Sequence, residues 1–205
     1  MKKLLLWGVI SVLGLALACG PLDENGDVTE GVDGTVDGTG GGDGTQQLTY
    51  SWVLIQDELT DTEACTTNPG ADIDAVQLYR GGEEIATAGG NPIFHSGNVC
   101  ETNTASDPSK ITGEPDEDNP EDSNNLFLSL NGGYVLFQMF ESGSTDPVVF
   151  QNGDTLQVYE VFNPDNSDKT KEGYQVYICP DSSGDTSQCK YIGEGKGDGT
   201  FTVNL

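Results

Sequence analysis

From Leu48 to the C-terminus, apolar side chains recur at alternate positions and no stretch keeps a helical period. A period of two is the pleat of a β-strand, with successive side chains on opposite faces, and it excludes a helical domain. Leu48, Tyr50, Trp52 and Leu54 alternate with Thr49, Ser51 and Val53. Residues 73–79 run into Gly81-Gly82 and residues 83–88 return, which predicts a hairpin whose turn needs positive φ. Residues 126–130, Asn131-Gly132-Gly133 and residues 134–140 predict a second hairpin. Residues 155–162 read as a strand with Leu156, Val158 and Phe162 on one face; Tyr174, Val176 and Ile178 alternate again, as do Phe201, Val203 and Leu205. About eight to ten short strands joined by polar turns make residues 48–205 an antiparallel β-sandwich or jelly roll. Two long stretches interrupt the pattern, residues 57–72 and residues 97–125, the second nearly free of apolar side chains. Loops of that length inside a compact domain carry function or stay outside the packed fold.

The segment before Leu48 has a different chemistry. Met1-Lys2-Lys3 is basic, and residues 4–18 form an uncharged apolar run too short to span a bilayer. The run ends Leu15-Ala16-Leu17-Ala18-Cys19-Gly20. It resembles the lipobox of bacterial lipoproteins, with Ala16 standing where leucine is commoner. The resemblance implies that residues 1–18 are a signal peptide, that cleavage falls before Cys19, and that its thiol carries a diacylglyceryl group. Two or three acyl chains suffice for stable anchoring without a membrane-spanning helix. Gly20, rather than aspartate, after the cysteine implies sorting to the outer membrane, and so to the cell envelope or surface. Residues 20–47 repeat Val-Asp-Gly-Thr at 32–35 and 36–39 and Gly-Asp-Gly-Thr at 42–45. So few apolar groups cannot offset the entropy of ordering, so residues 19–47 read as a lipidated cysteine followed by a flexible linker. These Asp-Gly repeats lack both the nine-residue period and the twelve-residue loop of known calcium-binding arrays.

Charge narrows the partners. The chain has 34 Asp and Glu against 8 Lys and Arg, a formal −26. A phosphate backbone would be repelled, which excludes nucleic acid, and electrostatic adsorption to anionic lipid fails for the same reason. Four cysteines follow Cys19, and an even count in an exported chain argues for disulfides. Of three connectivities, pairing Cys179 with Cys189 closes a hairpin across the loop between them and leaves Cys65 for Cys100. Zinc is the weaker reading, since the chain has one histidine and no C-x-x-C spacing.

No nucleophile–base motif stands out. His95 is the sole histidine, and neither G-x-S-x-G nor H-E-x-x-H occurs. Paired carboxylates suffice for a glycan hydrolase, but 34 acids do not single out a pair. Asp74 lies in phase with Val76 and Leu78, and Glu160 with Leu156 and Val158. A buried carboxylate is costly unless paired or bound to metal. With Asp72 at the strand entrance and Asp116 in the acidic loop, Asp74 and Glu160 make a candidate calcium site of the weak extracellular kind. The competing reading satisfies Asp74 and Glu160 with Arg80 or backbone amides. Tyr79, Tyr134 and Tyr159 are candidate stacking platforms for sugar rings.

The runs Pro69-Gly70-Ala71-Asp72-Ile73-Asp74-Ala75-Val76, Gly113-Glu114-Pro115-Asp116, residues 126–133 and residues 152–161 carry a second resemblance. Together they look like a domain recurring in bacterial cell-surface lipoproteins, similar to galactose-binding-like jelly rolls. The long acidic insertion before Leu126 departs from that pattern. The resemblance implies the fold, a cell-surface location and recognition of a glycan or an envelope protein; the missing nucleophile–base pair adds the expectation of a non-enzymatic binding module, and the carboxylates above add calcium as its stabiliser. A carboxylate-dependent hydrolase and a structural envelope component are the rival expectations.

Overall fold

The computed structural model describes residues 48–59, 65, 69–115, 126–161 and 173–205. The expected leader and linker, Asp116 and Phe162 lie outside the described residues. The strands are β1 (Trp52–Asp57), β2 (Asp72–Arg80), β3 (Glu83–His95), β4 (Leu128–Ser129), β5 (Tyr134–Phe140), β6 (Thr155–Glu160), β7 (Gly173–Cys179), β8 (Lys190–Lys196) and β9 (Gly199–Thr202). They form one sheet in the order β8-β7-β1-β5-β3-β2-β6-β9, with β4 beside β2, and every pairing is antiparallel. The chain is all-β, as its periodicity requires.

Strands β8 and β9 are consecutive in sequence, stand at opposite ends of this order, and abut. The sheet therefore wraps around one core. Val53 and Ile55, Val76 and Leu78, Val135 and Phe137, Leu156 and Val158, Val176 and Ile178, and Phe201 and Val203 meet there. Full burial of one such aliphatic or aromatic side chain stabilises by about 1.5–3 kcal/mol. Tyr174 joins them, buried, with its hydroxyl donating to the Gly197 carbonyl at 2.7 Å. Burial, together with the charges of Glu160 and Asp198, raises its pKa.

The first hairpin is present. Arg80 pairs with Glu83 across Gly81 and Gly82, whose φ values of 65° and 89° suit the tight turn that matches strand twist. Strand β3 then runs on past residue 88 to His95, with a register shift between Gly89 and Ile93 that accommodates Pro92.

The second predicted hairpin is not formed. Strand β4 pairs with β2, while β5 lies between β1 and β3. Asn131 and Gly132 do take positive φ, 51° and 74°, but the turn serves other segments. The Asn131 side chain accepts from the Cys100 amide at 2.8 Å and donates to its carbonyl at 3.1 Å. Such side-chain bonds to a distant loop redirect the chain after β4.

The long polar stretch after residue 97 also departs from expectation. Its first part folds inward: a short 3-10 helix, Pro108–Ile111, is capped by Asp107 and places Ile111 in the core. The Gly113 amide donates to the Ala88 carbonyl at 3.2 Å, fastening the segment beside β3. Through this isoleucine the short helix packs against both β2 and β3, and Ala105 of the same run is buried as well.

Candidate functional site

Three of the four expected calcium ligands are described, and they stand near one end of the β2–β6 pair. Ile73 pairs with Glu160, and Ala75 with Tyr159, so Asp74 is the extra residue of a β-bulge. Ile73, Val76 and Leu78 reach the core. Residues three apart cannot share a face of a regular strand, and the bulge supplies the added residue. Asp74 therefore does not continue the Val76–Leu78 face, although it is buried. Asp72 accepts a hydrogen bond from the Ser129 hydroxyl. Among the described residues, no three His, Cys, Asp or Glu side chains are grouped to hold a metal ion.

Arg80, the only arginine, is engaged elsewhere. It grips Asp154 through Nε and Nη2, each at 2.8 Å, and gives a further bond to the Val149 carbonyl. Asp154 is buried and also accepts the Gln151 amide at 2.7 Å. A bidentate guanidinium and a backbone donor meet the cost of burying this carboxylate. A second buried carboxylate, Asp57, forms no ion pair among the described residues. Gly132 N–H donates to its Oδ2 at 2.7 Å, and Leu59 and Ala71 N–H donate to Oδ1 at 3.1 and 3.4 Å. Burial raises its pKa against the lowering pull of those amides. It ties the end of β1 to two loops, and a side chain at Gly70 would strike it. Asp154 falls within residues 152–161, one of the runs that carry the second resemblance, but nothing in the sequence marks it or Asp57 as buried.

Two outer faces of the sheet hold the chemistry. On the β3–β2–β6 face, Gln77 is buried at the centre of a polar knot. Tyr79 and Tyr159 donate their hydroxyls to its Oε1 at 2.9 and 2.6 Å. Its Nε2 donates to Glu84 at 2.9 Å and to Glu114 at 2.6 Å. Every hydrogen-bonding direction of an amide is thereby used. Desolvation and the Glu114 charge raise the Glu84 pKa, while burial and Tyr79 push Tyr159 up to about 12. Two of the three tyrosines singled out from sequence meet here, and a specific carboxylate pair emerges.

The β7–β1–β5–β3 face is the second. Here the alternation of β1 is resolved: Val53 and Ile55 point into the core, while Trp52 and Leu54 pack outside with Leu136, Ile93 and Tyr177. Both faces of β1 are covered, so its apolar alternation alone does not reveal the inner one. The Cys179–Cys189 disulfide lies in this outer cluster and closes the loop between β7 and β8 over it. Gly184, at φ 72° in that loop, sits so close to Tyr134 that a Cβ would press on the ring. His95 stacks on the same ring, with centroids 4.7 Å apart and planes 28° from parallel. The second disulfide joins Cys65 to Cys100, so both pairings expected from sequence are formed.

No family model matches the chain, and no curated protein or solved structure matches it significantly.

Proposed function

We propose that the protein is an exported, lipid-anchored binding module whose ligand is a glycan or an envelope protein. The observation that carries this reading is the cysteine pairing. Cys65 with Cys100 and Cys179 with Cys189 use all four thiols after residue 19, as an oxidising compartment favours. Cys19 is left over, at the position where the lipobox resemblance puts the acyl chains. Labelling with a palmitate analogue tests the anchor: the wild type is marked, and Cys19→Ala is unmarked and soluble. Crosslinked pull-downs from intact cells and a glycan array test the ligand; silence in both overturns the binding reading.

Calcium stays within this proposal as a stabiliser near Asp72, Asp74 and Glu160. A site filled at 100 times its dissociation constant adds about 2.7 kcal/mol, so melting shifts upward by several degrees from EDTA to millimolar calcium. Equal melting in the two removes the ion.

A hydrolase is the second reading, and Glu84 with Glu114 is what favours it. The two carboxylates share one amide nitrogen, and burial and the Glu114 charge raise the Glu84 pKa, which sets this pair apart from the other exposed acids. Turnover of any arrayed glycan, abolished by Glu84→Gln, would establish that reading; binding without product dismisses it.

A further inference from the structure

The outer face of β7, β1, β5 and β3 carries a continuous row of polar and aromatic side chains. Gln175 pairs with Gln56, Gln56 with Tyr134, and Tyr134 with His95, so four side chains stand in register across four strands. Neighbouring strands are spaced by about 4.8 Å, which makes the row about 14 Å long. Beneath it runs a parallel apolar row, Tyr177, Leu54, Leu136 and Ile93, that fixes its footing. The Gln175 amide is oriented, accepting from the Tyr177 hydroxyl at 2.6 Å and donating to Glu58 at 3.2 Å. Gln56 differs. It is half-buried, and no described residue hydrogen-bonds its side-chain amide.

We propose that this row binds a short neutral oligosaccharide lying across the strands, an inference that rests on the binding-module reading and assigns its site. Each part suits a sugar. His95, exposed and stacked on Tyr134, offers its outer ring face to the C–H side of a pyranose, and Tyr134 backs that ring. The amides of Gln56 and Gln175 offer a donor and an acceptor each, the pattern that vicinal hydroxyls answer. Charge selects the ligand class. The row itself holds no carboxylate, while Glu58 and, in register on β8, Glu194 stand beside Gln175 at one end of it on a chain of −26, so uronates, sialosides and phosphorylated glycans are repelled. The loop closed by Cys179–Cys189 walls the row at Tyr134 through Gly184, which orients the sugar chain across the strands rather than along them.

The test is calorimetric titration of the full chain carrying Cys19→Ala, using neutral mono-, di- and trisaccharides of glucose, galactose, mannose and N-acetylglucosamine, with sialylated and uronate trisaccharides as controls. The expected result is binding of at least one neutral trisaccharide about tenfold tighter than its monosaccharide, because more of the row is engaged. Gln56→Ala and Tyr134→Ala each weaken it about tenfold or more at unchanged melting temperature. Where Tyr134→Ala melts early, Tyr134→Leu and Gln56→Ala carry the test. Binding that survives these changes but falls with Tyr159→Phe or Glu84→Gln overturns the row and keeps the module, with its site on the other face. Binding confined to acidic glycans, or to none, overturns the inference, whereas a crosslinked protein partner in the second case preserves the module.

Discussion

On the β3–β2–β6 face Gln77 commits its whole amide to neighbours: two tyrosine hydroxyls on its oxygen and two carboxylates on its nitrogen. On the β7–β1–β5–β3 face Gln56 occupies a comparable outward position with no described partner for its side chain, among aromatic rings and beside a disulfide-closed loop. The same residue type, on the same sheet, does opposite work. A saturated buried amide is a structural hub whose loss strands its partners, whereas a half-buried amide without a partner contributes little to stability and is free for a ligand.

The sharpest way to break this contrast is to delete the first hub. Gln77→Ala leaves two hydroxyls and two carboxylates without their shared partner and is expected to cost about 2–4 kcal/mol. Denaturant titration reads that loss directly, and thermal melting should fall by about 2–4 °C for each kcal/mol. Next in size is the other face's own fastening. Replacing Cys179 and Cys189 together by alanine is expected to cost about 2–3 kcal/mol and to raise hydrogen exchange along the loop and at Tyr134. An unchanged exchange pattern would mean that the loop needs no bond to stay in place.

A smaller effect follows from the carboxylate pair. The folded-state pKa of Glu84 is raised, so its contribution is fully present below the ordinary glutamate value and is lost as pH rises through the raised one. Glu114→Gln removes the repulsion, so this variant should gain on the wild type in melting temperature as pH climbs from about 4 toward neutrality. Parallel melting curves against pH would dissolve the pair. The smallest expected change is Gln56→Ala, within about 0.5 kcal/mol of wild type. A cost equal to that of Gln77→Ala would erase the distinction between the faces.

Local rules reached the elements and stopped where distant segments intervene. Strand periodicity, the Gly81-Gly82 hairpin and both disulfides follow from spacing within a few residues, or from a closed set of four thiols. Asn131-Gly132-Gly133 has the same turn chemistry as a hairpin, yet Cys100 and Asp57 claim it, and neither is visible from its neighbours. Asp74 reads as an inward residue only until a bulge opposite Glu160 and Tyr159 breaks the count. Tyr79 and Tyr159 could be named as aromatics, but the sequence does not place them on one amide. The burial and partners of Gln77, Asp57 and Asp154 leave no sequence signal, because both are properties of the assembled sheet.

The position of β1 has a mechanical consequence. It is the first strand after residue 48, and hydrogen bonds hold it on both sides, to β7 and to β5. Tension arriving through the preceding segment would pull along a central strand and load two ladders in shear, instead of peeling an edge strand one bond at a time. Resistance to such a pull is set by the unfolding rate rather than by equilibrium stability. Were the domain held from this end, it would keep its shape under a pull that would unzip the same sheet from β9.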